Sequence, residues 1–383
     1  MDRSAGLEEG TVERHGEWVT SARRFAELRE PWNRLATDSL FASWDWLDCW
    51  WRAFGRGAGM RVQVRWDQSK LVGGMAFGLR GRHLWAMADE QTDLYTPVAR
   101  SSQDLDAVLH AVAEGPWSRI TLAGVPAEDP TTERLRETLR RRGWLLHEVF
   151  RESCPIIETR GSFDAYVQGL SGNARRQLSK ARRRLERQGQ LELRVVEPIA
   201  ELEPVLAESF ALEAAGWKGH SKSAILSSAQ MTGFWRSLFE RYQGLGALRL
   251  SELRLDGGLV AFCLGIVHNA RLYTLKTSYD ERYAYYAPGN VLRLEMIKRC
   301  FEQEIDFQEL LGPMLRWKQR YATESRDTTV LRAYRRRPAP LVRYGGRRLV
   351  LPWVKAVYVR SRTGLNRLRG RRGAAPAEDE RGT

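Results

Sequence analysis

The residues with the plainest chemical capacity lie between Arg271 and Leu311, in RLYTLKTSYDERYAYYAPGNVLRLEMIKRCFEQEIDFQELL. RLYTLKTSY alternates large and small side chains and is rich in Tyr and Thr, the mark of a strand. A helix is expected from about Gly289, because Val291, Leu292, Met296, Ile297 and Phe301 fall near one face at the 3.6-residue period. DFQELL reads as a short strand. At the junction, Ala287-Pro288-Gly289-Asn290 puts a proline and a residue without a side chain where the helix begins. The first N–H groups of a helix have no partner inside it and carry partial positive charge. Glycine there lets an anion approach the backbone. Strand, glycine turn and helix start together make a device for holding a phosphate. An ordinary Pro-Gly turn is the plain alternative.

A chain of 383 residues is long for one average domain, so two domains plus extensions are expected. Hydrophobic residues make up 43% of it, and its 14 Trp call for large buried or binding surfaces. No apolar run approaches the roughly 20 residues that span a bilayer. The opening MDRSAGLEEGTVERHGE has no apolar stretch of signal-peptide type, so a cytoplasmic protein, peripheral at most to the inner membrane face, is expected. Cys49, Cys154, Cys263 and Cys300 are far apart, without CxxC spacing. They read as reduced buried thiols rather than a disulfide frame, and with six scattered histidines they argue against a metal site. The net charge of +14 fits anionic partners: nucleotide phosphates, RNA or an anionic membrane face.

The elements that must position the junction follow from periodicity. Residues 1–17 read as a disordered leader. One helix is expected from Ser21 to about Leu35. A second, capped by Ser43 or Asp45, repeats Leu47, Trp50, Trp51 and Phe54 at helical spacing, an apolar face that reads as core. MRVQVRW, LVGGMAFGL and HLWAMA are strands. A helix over Asp104–Ala113, the strand WSRITLAGV, a helix from Thr131 to Arg142 ended by Gly143, and the strand WLLHEVF follow. CPIIET bridges to a second half. There Phe163–Leu170 is a short helix. The basic helix SGNARRQLSKARRRLERQG places Leu170, Ala174, Leu178, Ala181 and Leu185 in one stripe. LELRVV is a strand, Pro198–Ala215 a helix, GWKGHSKSA a polar loop and Ala229–Tyr242 a helix. LGALRLSELRL and LVAFCLGIVH flank a tight Asp256-Gly257-Gly258 turn, the opening stretch follows, and TTVLRAY closes the set. Strand-strand-strand-helix-strand thus occurs twice, an internal duplication in a mixed α/β (α+β) layer. The first copy has DEQTDLYTPVARSSQDL at its junction, without glycine at the helix start. One phosphate site, in the second half, is expected.

This order, the basic helix, the GWKG loop, LDGGLVAFCLGIV and YDERYAYYAPGNVL together resemble the GNAT acyltransferases. More narrowly they are similar to a tandem-domain branch, the CelD-like or BioF2-like acetyltransferases, related to the Fem peptidyltransferases; LFASWDWLDCWWRAFG matches its aromatic helix. The resemblance spans roughly Ser39 to Tyr334. The usual GNAT phosphate loop is absent and YAPGNVL stands in its place, which leaves the acyl carrier open, because Fem relatives use aminoacyl-tRNA. The resemblance implies two tandem GNAT-like domains, each a mostly antiparallel sheet flanked by helices. Expected bounds are 18–158 for a degenerate first domain, 159–336 for the acyltransferase domain and 337–383 for a basic tail. It implies that two central strands part to admit the pantetheine arm of acetyl-CoA or another acyl-CoA, with the strand Leu272–Tyr279 lining it. Amides around Ala287, Gly289, Asn290 and Val291 would hold the pyrophosphate.

The chemistry so implied is attack of an amine on a thioester, which needs a proton acceptor, donors for the oxyanion and an acid for the thiolate. Lys318 lies in the loop where relatives often place a lysine near the acceptor; a solvated surface lysine is the alternative. Asp280 either positions the amine or starts a turn. Tyr286, with Tyr283 and Tyr285, is a candidate thiolate acid in a loop that otherwise simply packs. Glu213, Trp217 and Lys218 are candidates for the acceptor pocket, Trp217 equally for core, and His268 reads as structural. The basic helix carries Arg175, Arg176, Lys180, Arg182, Arg183, Arg184 and Arg187 against Glu186 alone. Such a run is ordinarily a solvated face, yet one so one-sided, Arg176 and Lys180 included, also suits a phosphate-bearing acceptor or RNA. The tail from Arg335 mixes Val, Leu, Trp and Tyr with Arg and Lys, as a membrane-surface contact does, or else is a mobile extension. The expected function is N-acylation of an amino group on a sugar, sugar nucleotide or envelope- or exopolysaccharide-related metabolite. The alternatives are a Fem-like transferase using aminoacyl-tRNA and a non-catalytic scaffold of a polysaccharide pathway.

Overall fold

A computed structural model describes residues 14–196, 202–221, 223–337 and 340. The first half runs β1 (Arg14–Val19), α1 (Ala22–Ala26), α2 (Arg29–Leu35), α3 (Trp44–Phe54), β2 (Gly59–Asp67), β3 (Lys70–Arg80), β4 (His83–Ala86), β5 (Val98–Ala99), α4 (Ser102–Glu114), β6 (Arg119–Pro126), α5 (Pro130–Arg141) and β7 (Leu145–Glu158). The second runs α6 (Phe163–Gly169), α7 (Gly172–Glu186), β8 (Leu191–Val196), α8 (Leu202–Ala215), α9 (Trp217–His220), α10 (Ala229–Gly244), β9 (Leu248–Leu255), β10 (Gly258–His268), β11 (Arg271–Tyr279), α11 (Pro288–Glu302), β12 (Phe307–Glu309), α12 (Arg316–Gln319) and β13 (Glu324–Tyr334). The expected class holds: a mixed, mostly antiparallel sheet flanked by helices, in two halves of like order.

The halves share one sheet, ordered β1-β2-β3-β4-β6-β13-β7-β12-β11-β10-β9-β8. Each half contains one parallel pair, β4 with β6 and β11 with β12. Between these pairs the last strands are exchanged. β13, which ends the second half, lies against β6 of the first, and β7, which ends the first, lies against β12 of the second. CPIIET is therefore the end of a strand: Cys154–Ile156 pair with β13, and Ile156–Glu158 with β12. A chain ended after Glu158 loses β13 and leaves the facing edges of β6 and β7 open. We expect that fragment to be insoluble alone and recovered when residues 159–383 are co-expressed, as solubility and circular dichroism would report.

Two further departures from the sequence reading are local. Arg14–Glu17, assigned to the leader, form most of β1, paired from Arg14 with Asp67 to Val19 with Val62. Its polar residues belong to an exposed edge strand, where Glu17 takes Arg24 and the indole N–H of Trp66; residues 1–13 lie outside the described residues. The expected helix from Ser21 to Leu35 is two helices, broken so that Phe25, Leu28 and Trp32 all reach the core. The core joins the halves. Trp46 of α3 packs edge-on against Phe41, Phe234 and Trp235, and Phe41 against Tyr273 of β11. The four cysteines are buried free thiols, and burial pushes each pKa to about 12.

Candidate active site

β11 and β12 pair only from Arg271 with Phe307 to Tyr273 with Glu309. Beyond Glu309 the chain turns away through Leu311 and Gly312, both at positive φ, while β11 runs on to Tyr279. The two strands thus open as a V. The pairing of β10 with β11 is irregular here: Leu264 faces Lys276 and Gly265 faces Thr274, so Leu275 is the extra residue of a bulge. Past the bulge, Asp280 N–H donates to Val260 O at 2.9 Å. Antiparallel alternation then turns the backbone of Thr277 away from β10, onto the free edge inside the V. At the vertex, Gln308 Nε2 donates to Thr274 Oγ1 at 3.0 Å, and Gln308 Oε1 is buried without a partner among the described residues.

The corresponding V of the first half is filled by its own chain. β4 and β6 pair over three residues each, from His83 with Arg119 to Trp85 with Thr121. Tyr95 N–H then donates to Gly124 O at 2.8 Å, and the Tyr95 hydroxyl to Ala76 O at 2.5 Å. Gly124 has φ +78°, and a Cβ on it would come within 2.8 Å of Asp93 O, so the close approach depends on glycine. The start of α4 is closed too. Ser101 Oγ accepts from Asp104 N–H and donates to the Asp104 carboxylate, which Arg100 also approaches. A phosphate there would meet a carboxylate.

At the start of α11 no side chain caps the helix, and Ala287 holds the left-handed conformation that turns the chain into it. Three of the four expected amides are engaged: Ala287 N–H with Ala284 O, and Asn290 and Val291 N–H with Ala287 O. Their turn geometry places the Ala287 carbonyl over them, so the free donor narrows to Gly289, whose N–H has no partner among the described residues. The basic helix α7 is packed alongside. Its stripe Ala174, Leu178, Ala181 and Leu185 is buried, Arg182 reaches Glu295 of α11, and Arg184 lies over Tyr285 at 5.1 Å. Arg176 and Lys180 are exposed, with no ion pair among the described residues. Tyr286 donates to Gln188 Oε1 at 2.9 Å, which holds the 281–286 turn to the end of α7. Asp280 caps that same turn and is clasped by Arg282 at 2.6–3.0 Å, which holds its pKa low. Its carboxylate serves the turn.

A second cluster gathers on the other side of the V, from both halves. Lys318 is buried; its ammonium donates to Leu311 O, and burial pushes its pKa down to about 8. Gly312 N–H donates to Asp93 Oδ2 at 2.5 Å, so Asp93, from the loop after β4, and Lys318 flank one glycine. Burial raises the Asp93 pKa to about 6 against the opposing pull of the Gly312 hydrogen bond and Arg151. Arg151 donates to Thr92 O at 2.8 Å and steadies that loop. Glu213 is fully buried; its two oxygens accept from Lys218 Nζ and Ile225 N–H, each at 2.8 Å. Lys218 also donates to Thr277 O at 2.9 Å, on the free edge of β11. The side chain of Trp217 lies outside the described residues. His268 bonds Ala36 O at 2.9 Å, a structural contact.

The structure therefore brings Lys318, Glu213 and Lys218 to the V and leaves Asp280 and Tyr286 in a turn beside it. It adds Asp93, Lys276 and Gln308, which sequence reasoning missed. Asp93 lies in DEQTDLYTP, a stretch whose composition signals only a loop. A cavity of about 1120 Å³ opens at the closed end of the V, between the halves, lined in part by Ser101, Asp129, Arg271 and Phe307. Its arginines are all paired: Arg271 and Arg326 with Glu309, Arg100 with Asp67, Arg134 with Asp106. Among the described residues no cluster of His, Cys, Asp and Glu could hold a metal ion.

Residues 172–319, which carry this V, the basic helix and Lys318, match the profile of the family described as Acetyltransferase (GNAT) domain. Solved structures share the fold across both halves. FemX is 10% identical, over 83% of this chain and 96% of that one, with a TM-score of 0.54. The C-terminal domain (DUF2156) of a putative lysylphosphatidylglycerol synthetase from Agrobacterium fabrum is 16% identical, over 80% and 92%, with a TM-score of 0.50. A conserved protein of unknown function from Bacteroides thetaiotaomicron is 15% identical, over 83% and 99%, with a TM-score of 0.51. At these identities the likeness is one of fold. No curated protein matches the chain. Residues 172–319 thus match an acetyltransferase (GNAT) domain, a match that makes the chain a transferase.

Proposed function

We propose that this chain is an acyl-CoA-dependent N-acyltransferase, acting on an amino group of a sugar, sugar nucleotide or envelope-related metabolite. The observation that carries the reading is the open V between β11 and β12, with an uncapped helix start and a basic helix beside it. A pantetheine arm would lie along the free edge of β11. Its pyrophosphate would meet the Gly289 N–H, with Arg176 and Lys180 supplying long-range attraction. For the arm to reach Thr277, Lys218 must leave the carbonyl it now holds. The amine would approach from the side of Glu213 and Asp93. Asp93 accepts the proton of the attacking nitrogen, and the Lys318 ammonium offsets charge on the carbonyl oxygen.

The test is thermal. Acetyl-CoA should raise the melting temperature of the purified chain, and Gly289→Trp, which fills the helix start, should abolish the shift without lowering the unliganded melting temperature. Indifference of the wild type to every acyl-CoA would refute the reading. The exposed Arg176, Lys180 and Arg187 favour one second reading, an aminoacyl-tRNA-dependent transferase. Salt-sensitive tRNA binding together with indifference to CoA would establish it. The basic tail lies almost wholly outside the described residues; its proposed role is contact with an anionic membrane face, measurable by co-sedimentation with phosphatidylglycerol vesicles. Among the described residues no helix is long and apolar enough to cross a membrane.

A further inference from the structure

We propose that Lys276 is the acid that protonates the departing thiolate in the second-half site, an assignment that rests on the acyl-CoA reading above. Lys276 follows the bulge at Leu275, three residues past Tyr273, the last residue of β11 that pairs with β12, where the V begins. Its ammonium lies 4.3 Å from the ring centre of Trp235 and 3.4 Å from Gln91 Oε1. Among the described residues no carboxylate comes within ion-pair distance of it. The charged groups that face it are Glu213 of α8, Lys218 of α9 and Asp93 of the loop after β4. An ammonium held mainly by an aromatic face and one long amide contact is poorly compensated for lost water. Lys276 nevertheless keeps part of its surface open, as a donor to a ligand must.

That environment tunes the group. Burial pushes its pKa down to about 8, with Lys218 adding to the fall and Glu213 and Asp93 opposing it. An ordinary thiol titrates at about 8.5, so a proton passes between the two without a large mismatch. A thioester laid along the free edge of β11, acyl end at the vertex, brings its sulfur level with Lys276. The neutral amine forms its N–C bond, the carbonyl oxygen takes the electron pair, and Asp93 takes the nitrogen proton. The C=O bond re-forms, the C–S bond breaks, and the sulfur takes a proton from Lys276. Proton return from Asp93 to Lys276 resets the site.

The experiment compares two acyl donors. With acetyl-CoA, Lys276→Met should lower kcat by roughly 100-fold. With an aryl thioester such as S-acetyl-4-nitrothiophenol, whose thiolate departs unprotonated, most of that loss should vanish. Acetyl-CoA affinity by calorimetry should stay close to wild type, and the melting temperature should not fall, because a poorly compensated charge is replaced by an apolar chain beside Trp235. Should Lys276→Met fail to fold, Lys276→Arg keeps the charge but does not give up its proton, and should show the same donor dependence. An equal loss with both donors, or unchanged turnover with acetyl-CoA, overturns the assignment. A wild-type chain that binds no acyl-CoA in that titration overturns the underlying reading, and this one with it.

Discussion

Asp93→Asn is expected to lower turnover by roughly 10²–10³-fold while leaving acyl-CoA affinity near wild type. Asparagine is isosteric and its amide oxygen still accepts from Gly312 N–H, so the loop at the vertex keeps its anchor. What disappears is the only group at that position able to take a proton. Burial raises the Asp93 pKa to about 6, so wild-type activity should climb through about pH 6 as the carboxylate forms, and the variant should lack that limb. Stability should move the other way. The folded pKa lies above the unfolded value near 3.9, so the native state holds the proton more tightly. This group's stabilising contribution is fully present below about pH 4 and is lost as pH rises to about 6. At pH 7.5 the wild type carries a buried carboxylate, and Asp93→Asn should be more stable by about 1–3 kcal/mol. Denaturant titrations at pH 4 and 7.5 check this. A variant that is inactive because it is unfolded would show the opposite sign, and full activity would remove Asp93 from the mechanism.

Trp46→Ala should destabilise the whole chain by about 3–5 kcal/mol. The residue is completely buried, and its indole N–H reaches Thr92 Oγ1 at 3.3 Å. Its ring touches Phe41 of the first half at 4.6 Å between centroids, and Phe234 and Trp235 of the second at 5.6 and 6.3 Å. Truncation removes a large apolar area and leaves a cavity that α3 and α10 cannot close without moving both halves of the sheet. Unfolding followed by far-ultraviolet circular dichroism should report a lower midpoint for the entire helical signal. A loss of less than about 1 kcal/mol would mean that the shared core carries little of the stability. The site would also suffer, because Trp235 is the face on which Lys276 rests.

The elements that were legible in the sequence are those whose burial follows a local period. The stripe of α7 reads correctly because Ala174, Leu178, Ala181 and Leu185 recur at helical spacing and all four are buried. The face of α3 reads for the same reason, with Leu47 and Trp50 buried and Trp51 and Phe54 partly so, and the Ser43 cap reads from its residue type. The Asp256-Gly257 turn reads because both residues take positive φ, which the short polar side chain of Asp tolerates and Gly, without a Cβ, adopts freely. CPIIET failed as a strand because its length and proline suggest a connector, and only the exchange of β7 and β13 gives both of its edges a partner. Lys276 failed because in a strand of alternating residues it looks like an ordinary outward lysine. The bulge at Leu275 shifts that alternation, and no local pattern in RLYTLKTSY announces it.

By itself the sequence determined the duplicated order of strands and helices, the basic helix and the helix that begins at Pro288-Gly289, because each depends on residues close in the chain. Only the tertiary structure decided that the first half plugs its own V with Tyr95, and that Asp93 of that half crosses to the V of the other. The physical reason is that hydrophobic periodicity fixes which face of an element is buried but not which distant element covers it. Pairing between remote strands, and the charges it buries together, are settled by packing the whole chain at once.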